Sequence, residues 1–123
     1  MNGDSILLDT NTILYLLAGD ETLAEFLNSK KLYISVITEL ELLSFRNLSA
    51  KEIKLINCFI NELHVENIND EIKENTIKIR RGTKLKLPDC IITATALALQ
   101  IPIISADKDL KLVQDLDLII YEK

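Results

Sequence analysis

The 123-residue chain has no tryptophan, one histidine, two prolines, three glycines and two cysteines. So little glycine and proline excludes a collagen or a low-complexity linker. Cys58 and Cys90 are 32 residues apart and form no C-x-x-C pair, so no zinc or redox motif can be read from them. Both lie in apolar periodic runs, where small buried side chains are expected. The lone histidine, His64, is far in sequence from every acidic motif and is expected to be structural or exposed. Only six residues are aromatic, which leaves few platforms for base stacking. The opening MNGDSILLD lacks the basic region of a secretory leader. The most apolar stretch, 90–104, is interrupted by Thr93, Thr95, Gln100 and Pro102 and is too short to span a bilayer. A cytoplasmic protein without membrane contact is the expectation.

What the chain has is aliphatic bulk. Forty residues are isoleucine or leucine. A chain of this length buries about two thirds of its unfolded surface, so a single domain over 1–123 is expected. The net charge of −5 argues against nucleic-acid binding by bulk electrostatics. The charges are unevenly spread, however. Lys78, Arg80, Arg81, Lys84 and Lys86 form an acid-free basic stretch.

Short apolar runs alternate with helical periodicity. Strands are expected over 5–9, 31–36, 64–68, 101–105 and 116–121. Helices are expected over 12–18, 21–29 and 37–45, and over a segment opened by a Ser49/Glu52 capping box. In that segment Ile53, Ile56, Phe59, Ile60 and Leu63 mark one face. A further helix begins at an Asp70 cap and runs toward Arg81-Gly82. Pro88 suits a helix first turn, and the segment over 89–99 is apolar almost all round. A short helix over 108–114 follows. Such β-α-β order predicts an α/β fold, a parallel sheet covered on both faces. The chemistry of such sheets lies at the carboxyl ends of the strands.

Acids occupy those ends. Asp9 closes the first strand run and Asp107 the IPIISAD run; Asp89 starts the buried helix. In the helix after the second strand, Glu41 has Ile37 and Phe45 one turn to either side, though helical geometry alone leaves Glu39 open. Any one such aspartate is commonly a cap or turn former. Several crowded carboxylates need protons or a cation, and a hard divalent ion takes oxygen ligands.

Four segments carry a resemblance: LLDTNTIL (7–14), ISVITELELL (34–43), LPDCIITATAL (87–97) and ISADKDL (104–110). They resemble the four motifs of PIN domains, in order and in register over essentially the whole chain. The length is similar to that of the VapC-type toxin branch. The resemblance implies a three-layer α/β/α domain with a central, mostly parallel sheet of four to five strands. It implies Asp9, Glu41, Asp89 and Asp107 as catalytic and metal-binding residues for Mg²⁺ or Mn²⁺. Ser35-x-x-Thr38-x-x-Glu41 then selects Glu41 over Glu39. Asn11, Thr38 and Ser105 become the hydrogen-bonding support of these acids, and Asp109 lies exposed on the next turn or serves as a helper ligand. Leu110 departs from the aromatic residue common there, which touches packing rather than chemistry.

The function implied is that of a metal-dependent endoribonuclease, in which a metal-activated water attacks RNA and leaves a 5′-phosphate and a 3′-hydroxyl. The same resemblance implies a small antitoxin partner and a homodimer, which the apolar early helices would suit. The alternative is a PIN-like module that binds RNA or protein without turnover. Haloacid-dehalogenase phosphatases need a second aspartate where this chain has Asn11, and a receiver domain needs an aspartate that the third strand lacks. Arg80, Arg81, Lys84 and Lys86 are candidate RNA contacts; their plainer role is to complement a helix C-terminus.

Overall fold

The computed structural model describes residues 4–122; residues 1–3, part of the opening segment read above, lie outside. The order is β1 (Ser5–Leu8), α1 (Thr10–Leu17), α2 (Glu21–Leu27), β2 (Lys31–Ser35), α3 (Val36–Leu43), α4 (Ala50–Ile60), β3 (His64–Glu66), α5 (Asp70–Gly82), α6 (Leu87–Leu99), β4 (Ile103–Ser105), a 3-10 turn (Lys108–Leu112) and β5 (Leu118–Ile120). The strands form one sheet in the order β3-β2-β1-β4-β5. Every pairing is parallel, with Leu7 opposite both Tyr33 and Ile103. The expected α/β/α layering is present, and the sheet is parallel throughout.

The period-2 alternation of a strand distributes this core. Ile6 and Leu8 of β1 join Ile34 and Ile104 in a cluster with Ile13, Leu23, Leu42, Ile56 and Ile60 from α1–α4. Leu7 and Ile103 point to the other face, against Ile72, Ile79, Cys90, Ile92 and Ala96 of α5 and α6. All four residues of β1 are buried, as a strand covered on both sides requires. Among the described residues no helix is long and apolar enough to cross a membrane.

Several boundaries differ from the expected ones, for local reasons. Helix α1 begins at Thr10 rather than residue 12, because the Asp9 side chain accepts the Thr12 N–H and caps it. Helix α5 is capped by Asn69, not Asp70. The segment after β4 closes as a 3-10 turn rather than an α-helix. Cys58 is exposed and Cys90 buried. On α4 the core side is set by Ile56 and Ile60; Cys58, two residues from each, falls about 200° around the helix from both. Ile53, expected on the core side, is also exposed. The capping box of Ser49 and Glu52 forms as expected. His64 is exposed on edge strand β3 and stacks on Tyr33, ring centroids 4.7 Å apart. At the far edge, the Tyr121 hydroxyl donates to Asp20 at 2.7 Å.

Helix α6, which leads into β4, ends on Gln100 in the left-handed region, φ 57° and ψ 44°. The Ile101 N–H then closes on the Ala96 carbonyl at 3.2 Å. A Cβ is unfavourable there and glycine is not. Gln100→Gly is therefore expected to stabilise the protein by about 0.5–1 kcal/mol. The urea unfolding midpoint reads this; an unchanged or lower midpoint contradicts it.

Candidate active site

Strand order reverses between β1 and β4, so the loops leaving their carboxyl ends diverge to opposite sides of the sheet. Open α/β sheets leave a crevice at such a point. Asp9 follows β1 directly, and Ser105 ends β4.

Asp9 is buried and fully engaged. Its Oδ1 accepts the Thr12 N–H at 2.9 Å and lies 2.6 Å from the Thr12 hydroxyl. That hydroxyl also lies 3.1 Å from the Ile104 carbonyl, but its single proton goes to the nearer, charged acceptor. Asp9 Oδ2 accepts the Ser105 hydroxyl. Ser105 Oγ in turn accepts the Asp107 N–H at 2.9 Å. One serine thus joins the backbone of the fourth acid to the side chain of the first. Asp107 also caps the 3-10 turn, its Oδ1 accepting the Asp109 N–H at 2.9 Å; Asp109 is exposed, as expected.

Ser35 ends β2 and caps α3, its hydroxyl oxygen accepting the Ile37 N–H at 3.0 Å. Two turns along, Glu41 Oε1 accepts the Thr10 hydroxyl at 2.6 Å. Thr10 Oγ1 also lies 3.2 Å from the hydroxyl of buried Thr38. Asp89 stands in the first turn of α6, behind Pro88. No side-chain hydrogen bond closes this helix start.

These elements bring Asp9, Glu41, Asp89 and Asp107 onto one cleft of about 300 Å³, together with Thr10, Asn11, Leu14, Phe45 and Ile92. Glu39 is not on its wall. Asn11 is exposed at the cleft, while Asp9 takes its hydrogen bonds from Thr12 and Ser105. Thr10 and Thr12 are the supports that sequence reading missed. Their signal was the i+1 and i+3 spacing from an N-cap aspartate, which is ordinary in a helix first turn.

Burial pushes the Asp89 carboxyl up from its usual range, and the negative charges of Asp107, Glu41 and Asp9 push it further; Lys86 opposes them. Asp89 is therefore close enough to the other three acids to feel their charge. Among the described residues no three acidic, histidine or cysteine side chains are grouped so that they could hold an ion between them directly. The donor set fits a hydrated ion instead: magnesium uses one or two carboxylates and keeps several waters. Of the basic stretch, Arg80, Arg81, Lys84 and Lys86 are all exposed. Lys86 is felt at Asp89, whereas Arg80 is felt at the buried Cys90 thiol, where burial raises the pKa and the guanidinium opposes it. Lys78 lines a different hollow, shared with Asn75, Leu112 and Asp115.

A family model described as PIN domain matches residues 6–116. The chain belongs to the PIN domain family. Its sheet, flanked by helices on both faces, is the PIN fold, and the acid cleft lies within the matched span. No curated protein matches the chain. Among solved structures, this PIN domain is similar to a chain of a toxin–antitoxin complex from Klebsiella pneumoniae, at 27% identity and a TM-score of 0.82, covering 96% of this chain and 99% of that one. It is also similar to a chain of VapBC-1 from nontypeable Haemophilus influenzae, at 25% identity and a TM-score of 0.80, covering 94% and 97%. A DNA-bound VapBC from Salmonella typhimurium shares the fold at 22% identity, with a TM-score of 0.83 and coverage of 94% and 97%.

A carboxyl whose pKa rises on folding opposes folding once it is ionised in both states. The opposition vanishes at a pH where both states are protonated. In protein stripped of divalent ions, Asp89→Asn is therefore expected to melt above the wild type at pH 7. The gap should close as the pH falls below the ordinary aspartate value of 3.8. Equal melting temperatures at pH 7, or a gap that widens in acid, would contradict the crowding of the four acids.

Proposed function

We propose that this PIN domain is a metal-dependent endoribonuclease, and that it is the toxin of a type II toxin–antitoxin pair. The observation that carries the reading is the single cleft lined by Asp9, Glu41, Asp89 and Asp107, whose mutual repulsion a divalent cation would relieve. Family membership supports it, as does the likeness to a chain of a toxin–antitoxin complex at 27% identity.

Asp9, Asp89 and Asp107 would hold Mg²⁺ or Mn²⁺ directly or through water, and Glu41 would either join them or orient the attacking water. Such an ion lowers the pKa of water and offsets charge on an RNA phosphodiester in flight. The remaining work falls to the protein. Ser105 and Thr12 fix both oxygens of Asp9, so the carboxylate meets its ion with little reorganisation. Thr10, backed by Thr38, aims Glu41 into the cleft. Lys86, with Arg80, Arg81 and Lys84 behind it, draws the RNA backbone toward the acids. Water attacking the phosphorus in line would form a new P–O bond and break P–O3′, leaving a 5′-phosphate and, once O3′ takes up a proton, a 3′-hydroxyl.

An antitoxin and a homodimer partner belong to the same reading, and a cytoplasmic site of action follows from an RNA target. Phe26, Leu40, Ile77 and Leu112 are exposed apolar residues that such partners could cover.

The test is cleavage of a generic RNA by protein freed of any bound partner. Wild type should cut with Mg²⁺ or Mn²⁺ and stop when the ion is chelated. Asp9→Asn should lower the rate at least roughly 100-fold with an unchanged circular dichroism spectrum. RNA that is bound but never cut, at any ion concentration, would replace the nuclease with a binding module.

A further inference from the structure

The acid cleft has a second wall that the acids do not explain. Leu14, Phe45 and Ile92 line the cleft together with the carboxylates. Phe45 lies just beyond the Ser44 cap of α3 and is 45% exposed. It is the only aromatic residue on the cleft wall. A partly exposed aromatic ring on a cleft wall offers a face on which a flat group can stack. The occupant must also carry a group that the four carboxylates can hold through a cation, which disfavours a purely aliphatic one.

A nucleotide meets both requirements at once, with a charged phosphodiester on one side and a π-face a sugar's length away. We propose that Phe45 is the nucleobase platform of the cleft: it stacks the base next to the phosphodiester held at Asp9, Glu41, Asp89 and Asp107. The inference rests on the nuclease reading and extends it to substrate selection. Stacking carries little sequence information and strengthens with the size of the ring system, so purines rank above pyrimidines at this position. Selection is then not by RNA shape and backbone alone, as the shortage of aromatics had suggested. Leu14 and Ile92 flank the base without reading its edge.

Because the chain has no tryptophan, Phe45→Trp supplies a single indole that reports contact directly. The full-length variant is titrated, with Ca²⁺ in place of Mg²⁺ or Mn²⁺ so that the acids hold a cation while cleavage is suppressed, with a short oligoribonucleotide and with the same oligomer carrying abasic positions. The intact oligomer is expected to quench the indole, and to bind roughly tenfold tighter than the abasic one. In cleavage assays wild type should prefer the intact over the abasic substrate by a similar factor in kcat/KM. Phe45→Ala should erase that preference and Phe45→Trp should keep it. Equal quenching by both oligomers, or an undiminished preference in Phe45→Ala, overturns the platform while leaving the nuclease standing. If wild type cuts no RNA, the nuclease reading fails, and base-dependent quenching alone still decides the role of Phe45.

Discussion

Two neighbouring strands end side by side at the point where the sheet changes direction, and one serine hydroxyl ties them together. Ser105 accepts from the Asp107 backbone and donates to Asp9. The register of β1 against β4 sets the distance across which this can happen, with Leu8 opposite Ile104. A buried carboxylate without donors would be costly. Here both oxygens are satisfied, and no buried side-chain nitrogen or oxygen among the described residues lacks a partner. The concentration of negative charge is thus built on a neutralised hydrogen-bond frame, and repulsion is left to be felt where Asp89 stands without such a frame.

The helices serve the same end from the other side. Asp9 is at once the end of a strand, the cap of α1 and a wall of the cleft. Ser35 repeats the first two roles at β2 and α3. Capping fixes the direction in which each helix leaves the sheet, and that direction brings Thr10 of α1 within reach of Glu41 of α3. Capping and site assembly are the same interactions counted from two viewpoints. This explains why residues that look like ordinary turn formers can hold a reactive constellation.

Much of this was legible in the residues. Alternating apolar runs gave the parallel sheet, and the position of acids after strands gave the rim. The choice of Glu41 over Glu39 was not available from helical spacing; it came from the resemblance to the Ser-x-x-Thr-x-x-Glu pattern, and in the structure Glu41, not Glu39, lines the cleft and contacts Thr10. Thr12 was invisible for a related reason: its partners Asp9 and Ile104 are respectively 3 and 92 residues away, and only the second reveals its place between two strands. The misjudged burial of Cys58 came from reading an apolar run without its 3.6-residue phase. The wall position of Phe45 depends on how the chain turns after α3, where periodicity has ended.

The two border strands of the sheet, β3 and β5, have three residues each. An unpaired border offers its free amides and carbonyls to any extended chain that drifts by, and long flat borders nucleate fibrils. Three residues give an incoming strand too short a ladder to hold. A protein this rich in isoleucine and leucine, with an all-parallel sheet that is slow to assemble, is thereby protected from templating its own aggregation.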